Sequence, residues 1–356
     1  MINRKHGYLI CRSFAFLSIC SAVNMLLGGG AIADDKWYRR GWIDEVGDVY
    51  FYKGSRTWDE DNEEWVDPSG AWVGYDENKA LLALKESYNL LQDILNVTPD
   101  KENTDNFRFW NRPFIDNKKY ISINNLDIST NSATSHGVSL GIDCKHIKID
   151  ALNAFFVPSV FFNISKFGIK KTDSDNEDCY YFGVKGDLYN DSNIVKVIVA
   201  YSPHHSTKKL KIFSVGFKYS YNFNISKTLI LQPEVFATYN NTKLPKDNIG
   251  EEDVIYANFK RTHRFYVSPG VSITKKFETF DVKVSARYCQ QYGSAPRFTL
   301  DNQTFKYAEL FKKKHAEIGI GFTTNLTDKA KIGVELSKIM LGQRGVKLLA
   351  KFDFIV

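Results

Sequence analysis

From Asn106 to Val356 apolar and polar residues alternate almost one for one. In "LKIFSVGFKYSYNF", Phe213, Val215, Phe217, Tyr219 and Tyr221 interleave with Ser214, Gly216, Lys218, Ser220 and Asn222. "TLILQPEVFATY" and "FDVKVSARY" repeat the pattern. A period of two puts each class on its own face of a strand. It predicts twelve strands, at 106–113, 135–145, 153–166, 178–189, 193–202, 210–222, 227–239, 264–275, 280–290, 313–325, 330–340 and 345–356. Most are about twice the length of an ordinary sheet strand and match the 9–11 residues or so that a tilted membrane strand needs.

The connections sort by length. Those at 146–152, 190–192, 223–226, 276–279 and 326–329 are short; those at 114–134, 167–177, 203–209, 240–263 and 291–312 are longer, and only 341–344 breaks the rule. Short turns on one rim and long loops on the other fit a transmembrane barrel, here an all-β, twelve-stranded antiparallel one. A soluble β-sandwich is the alternative, but its strands are shorter and its loops do not sort by rim. In the barrel the polar parity lines a hydrated lumen. It assigns Lys218, Glu234, Asp281, Lys283, Arg287, Glu317, Glu335, Lys347, Lys351 and Asp353 to that lumen, together with Cys179 and Cys289, and turns Cys144 toward lipid.

Before the strands the period changes. Leu81, Leu84, Tyr88, Leu91 and Leu95 are spaced 3, 4, 3 and 4 apart, an amphipathic helix with Asp76 as a candidate N-cap and Pro99 past its end. Such a helix is roughly 27–30 Å long, close to a bilayer core, but too polar to cross lipid on its own. Residues 34–76 are rich in Trp and in Gly and Pro turn signals, which suggests short hairpins or an acidic linker. Residues 1–33 read as a signal peptide: a basic start, the apolar run "SFAFLSICSAVNMLL", and Ala31-Ile32-Ala33 before Asp34. A single membrane anchor is the competing reading of that stretch.

Charge separates the same regions. Residues 34–110 carry 18 acidic and 9 basic side chains, whereas 111–356 carry 23 and 35. The total of +6 over 356 residues does not argue for nucleic acid. All six Trp (Trp37, Trp42, Trp58, Trp65, Trp72 and Trp110) fall at or before position 110. Three cysteines outside the signal region are too few and too scattered for a disulfide framework. No His-Glu-x-x-His, P-loop or Cys-x-x-Cys motif is present, and no cofactor, metal or nucleophile–base set is assigned. His204-His205 would point to opposite sides of an extended chain, which makes a poor metal pair. A barrel enzyme therefore remains the least supported class.

Four segments in order carry a family resemblance: "FRFWNRPF", "FSVGFKYSYNF" followed by "LILQPEVFATY", the late "AEIGIGF", and the closing "GVKLLAKFDFIV". Together they make 106–356 resemble the translocator domain of bacterial autotransporters. The resemblance implies a Gram-negative outer-membrane barrel with loops at the cell surface and a helix threaded through the pore ahead of the first strand. The segment 77–105 sits where that helix belongs; a helix docked outside on the periplasmic side is the alternative. It also implies that Phe352, Phe354 and Val356 form a signal for the outer-membrane insertion machinery, although the family usually ends on an aromatic residue. The chain departs from the family in having only about 40 residues between Asp34 and the helix, where a long passenger is usual. The expected partners are outer-membrane lipid, the insertion machinery and a host or cell-surface ligand. The expected function is anchoring and display of 34–76, with adhesion as its expected purpose and a porin-like channel as the alternative.

Overall fold

The computed structural model describes residues 38–43, 49–53, 57–59, 64–66, 70–73, 75–99, 104–120, 132–169, 177–205, 210–243, 247–249, 255–259, 261–293, 297–300, 303–306 and 313–356. Within 38–83 only the backbone is described. The signal-peptide expectation for 1–33 and the side chain of Leu81 lie outside the described residues.

Twelve long strands form one closed antiparallel wall: β1 Arg108–Tyr120, β2 Ser132–Asp143, β3 Ala154–Ile169, β4 Glu177–Tyr189, β5 Asn193–His205, β6 Leu210–Tyr221, β7 Leu229–Lys243, β8 Thr262–Lys276, β9 Phe280–Tyr292, β10 Lys314–Thr327, β11 Ala330–Leu341 and β12 Gln343–Ile355. Each pairs with its neighbours in sequence, and β12 closes the ring on β1, with Phe354 opposite Phe109 and Leu348 opposite Ile115. Closure rules out the sandwich. The alternation explains the wall: Phe162, Val184, Phe217, Ile273, Val334 and Leu348 stand exposed on the outside, while Ser214, Ser220, Ser268, Ser272 and Ser337 are buried on the inside. An apolar exterior around a polar interior is what a bilayer requires of a barrel.

The rims differ as the connection lengths suggested. Residues 144–153, 190–192, 222–228, 277–279 and 328–329 join strands at one end; 121–131, 170–176, 206–209, 244–261, 293–313 and the single residue 342 join them at the other. Strands in two of the longer connections cross-pair into a four-stranded sheet, Asp247–Ile249, Ile255–Phe259, Arg297–Leu300 and Gln303–Lys306. The first barrel strand differs most from expectation. It continues past 113 to Tyr120, because Asp116 and Lys118 in the polar run "DNKKY" point inward and find partners there.

Helix α1 spans Tyr75–Leu95. It begins a residue before Asp76, so that carboxylate lies in the first turn rather than at the cap, where it still complements the helix dipole. Ahead of α1, Tyr38–Ile43, Val49–Lys53 and Gly70–Val73 form a three-stranded antiparallel sheet, and Thr57–Asp59 and Glu64–Val66 form a hairpin between its last two strands. The strand Gly70–Val73 lies beside Asp247–Ile249.

Candidate functional site

The site is the lumen, and α1 runs through it. Leu84, Tyr88, Leu91 and Leu95 are fully buried, but so is the opposite face, where Lys85, Ser87, Gln92 and Asp93 are each below 10% exposed. Burial all round is the mark of an enclosed helix, and the partners come from every side of the wall. Tyr88 stacks on Tyr266 of β8 at 4.7 Å and meets His315 of β10 edge-on at 6.1 Å. Asn240 of β7 donates to the Leu84 carbonyl at 3.1 Å. Ser135 of β2 donates to Glu86 at 3.2 Å, and Ser87 bonds the Tyr181 hydroxyl of β4.

The helix has two unlike contacts with the wall. Toward β5 and β6 it is apolar: the bare Cα of Gly216 lets Leu91, Leu95 and Ile198 close together, so that an added Cβ would meet Ile198 at 2.6 Å, Leu95 at 3.1 Å and Leu91 at 3.3 Å. Toward β1 and β12 it is ionic. Asp93 pairs with Lys347, and Glu86 lies 3.5 Å from Lys118, which also pairs with Asp116. Between the helix and this second side lies a cavity lined in part by Asn89, Phe114, Asp116 and Lys347.

The helix end points to the short-turn rim. Its last carbonyls have no partners within the helix, and wall cations take up the chain just beyond it: Lys196 donates to the Val97 carbonyl and Arg108 to the Thr98 carbonyl. Lys218 donates to the Asn96 amide oxygen at 2.9 Å. Behind these lies a buried lattice in which Arg108 pairs with Asp143, Lys185 bridges Asp143 at 3.6 Å and Asp187 at 2.7 Å, and Lys196 reaches Asp187 at 3.6 Å. Trp110 donates its indole N–H to Asp143 at 2.9 Å. Alternating signs keep each buried charge paired.

The residues singled out from sequence fall into three groups. Lys218, Glu234, Arg287 and Glu317 form a chain of ion pairs at 2.8, 3.2 and 3.6 Å, in which Phe236 lies against both cations. Gln92 of the helix turns its amide oxygen to Arg287. Glu335 pairs with Lys351 at 2.6 Å, and Asp353 pairs with Arg112 at 2.6 Å. Asp281 and Lys283 are half-buried and stand outside these pairs. Phe352, Phe354 and Val356 are exposed on the outer face. Cys179 and Cys289 are buried and in no disulfide among the described residues, while Cys144 lies just past the end of β2, half-buried. Nine inward charges were missed: Arg108, Arg112, Asp116, Lys118, Asp143, Lys185, Asp187, Lys196 and Arg264. Parity alone could have found most of them, since each occupies an inward position of an alternating strand.

Solved autotransporter barrels resemble this structure. The translocator domain of autotransporter NalP from Neisseria meningitidis superposes with a TM-score of 0.56 at 10% identity, over 79% of this chain and 98% of that one. The beta domain of the Bordetella autotransporter Brka gives 0.53 at 10% identity, over 70% and 99%. The transport unit of AIDA-I from Escherichia coli gives 0.52 at 12% identity, over 73% and 93%. No family model matches the sequence, and no curated protein matches it. At such identities the likeness is one of fold: this chain has an autotransporter-type translocator barrel with a helix in the lumen.

Proposed function

We propose that this chain is an outer-membrane barrel of a Gram-negative bacterium whose role is anchoring and display rather than catalysis. In this reading 106–356 is the anchor, α1 holds the lumen, and 34–76 together with the longer loops faces the surroundings and binds a host or cell-surface ligand. The observation that carries it is the direction of α1. Its C-terminal end contacts Lys196 and Lys218 near the short turns, whereas Glu86 reaches Lys118 near the top of β1, so the chain before α1 emerges at the long-loop mouth. The apolar exterior supplies lipid as a partner, and the outward Phe352, Phe354 and Val356 are available to the insertion machinery. Protease shaving of intact cells, probed with antibodies to 34–76, tests exposure: that segment should be degraded while the barrel survives, and full protection would end the display reading. Deleting 34–76 should then abolish adhesion with insertion unchanged.

A passive channel is the second reading, favoured by the charged lumen. In planar bilayers the full chain should be closed and should open on deletion of 77–97. Stable conductance in the full chain supports the channel instead.

A further inference from the structure

The wall ladder is interrupted in mid-wall at two prolines; a third break, at Pro203 of β5, lies toward the long-loop rim. Between β1 and β12, pairing runs to Phe114 opposite Leu349 and resumes at Asn111 opposite Phe352, skipping Pro113 and Arg112. Between β8 and β9 it runs to Val267 opposite Gln290 and resumes at Gly270 opposite Arg287, skipping Pro269. Proline has no N–H to donate, so each interruption removes a rung in mid-wall. The β1–β2, β2–β3, β7–β8, β9–β10 and β11–β12 seams run unbroken along their paired lengths.

The two interruptions are not equivalent. At Pro113 a side chain spans the seam from inside: Arg112 Nη1 donates to the Phe352 carbonyl at 3.1 Å and the Asn111 carbonyl at 2.9 Å, and Nη2 pairs with Asp353 at 2.6 Å. On the outer parity Asn111 keeps a buried Oδ1 without a hydrogen bond. This seam is also where the ring closes, between strands far apart in sequence, so parting it breaks no hairpin. The cavity beside Phe114, Asp116 and Lys347 lies directly behind it.

We infer that the β1–β12 seam is a lateral hinge of the barrel, in which Pro113 is the notch and Arg112 the clasp, and that the panel β9–β12 swings about the Pro269 line. Opening there unpairs β1 from β12, connects the lumen to the bilayer and widens it without breaking a hairpin. The inference stands on the barrel wall alone and does not depend on the display reading.

Amide hydrogen exchange on the full chain in lipid nanodiscs tests it. Peptides spanning 109–116 and 347–354 should exchange about fivefold faster than those spanning 137–143 and 159–165, the effect of roughly one missing hydrogen bond. Pro113→Val restores a donor and should slow the seam; Arg112→Ala should quicken it further, with β2–β3 unchanged. Pro269→Val should slow 266–271 and 286–291. Seam protection equal to that of β2–β3 in the native chain overturns the hinge. Should Arg112→Ala not fold, an unchanged seam in Pro113→Val overturns it as well.

Discussion

Helix α1 lies between two walls that hold it by different physics. Against β5 and β6, Leu91 and Leu95 seat on Ile198 and the bare backbone of Gly216. Against β1 and β12 the helix presents Asp93 and Glu86 to Lys347 and Lys118. The apolar contact is non-directional: it favours burial but tolerates sliding. The ionic contact is directional, and a buried pair gains little over a well-packed apolar pair while losing much when one partner is removed. The difference suggests a division of labour, with the leucines supplying attraction and the ion pairs fixing height and rotation.

The sharpest way to break that division is on the ionic side. Lys347→Ala leaves Asp93 buried opposite no cation and should cost about 3–5 kcal/mol, read as a lower unfolding temperature and as conductance from a displaced helix. Pairing Lys347→Met with Asp93→Leu should recover most of the stability yet leave the helix less precisely placed, visible as broader distance distributions from spin labels on α1. If the single variant is silent, the ionic wall does not position the helix. On the apolar side Leu91→Ala should cost about 2–4 kcal/mol through a cavity, with no change in salt dependence. Gly216→Val comes next, at about 1–3 kcal/mol: its Cβ meets Ile198, Leu95 and Leu91 together, so it should loosen α1 while leaving the wall intact, detectable as protease sensitivity within 84–95.

The same asymmetry governs what could be read from the chain beforehand. All twelve strands were legible, because a wall between lipid and a polar lumen enforces strict alternation, and the apolar stripe of α1 was legible from its spacing. The pairing of its polar stripe was not. A helix in the pore brings its polar residues to a charged lumen without naming their partners, and Tyr181 and Lys347, which take up Ser87 and Asp93, lie on strands roughly a hundred residues or more away. The upper half of β1 was missed for a related reason: "DNKKY" reads as loop until Asp116 and Lys118 are matched with each other and with Glu86. The lattice of Arg108, Asp143, Lys185, Asp187 and Lys196 obeys parity, but its pairing joins β1, β2, β4 and β5 across the inside of the wall, which no pattern within a single strand encodes.

The smallest expected effect separates burial from distance. Lys148 and Asp150, at the short-turn rim, sit 2.8 Å apart, the same separation as Lys218 and Glu234. The rim pair is 63% and 82% exposed, whereas the lumen pair is 3% and 0%. Water and salt screen the rim pair, and its long side chain loses freedom in forming it. Lys148→Ala should therefore leave the unfolding temperature within experimental error at every salt concentration. Lys218→Ala should lower it, though less than Lys347→Ala does, because Arg287 still reaches Glu234 at 3.2 Å. Equal effects of Lys148→Ala and Lys218→Ala would mean that proximity rather than enclosure decides which charges matter, and the lumen would lose its claim to be the positioning site.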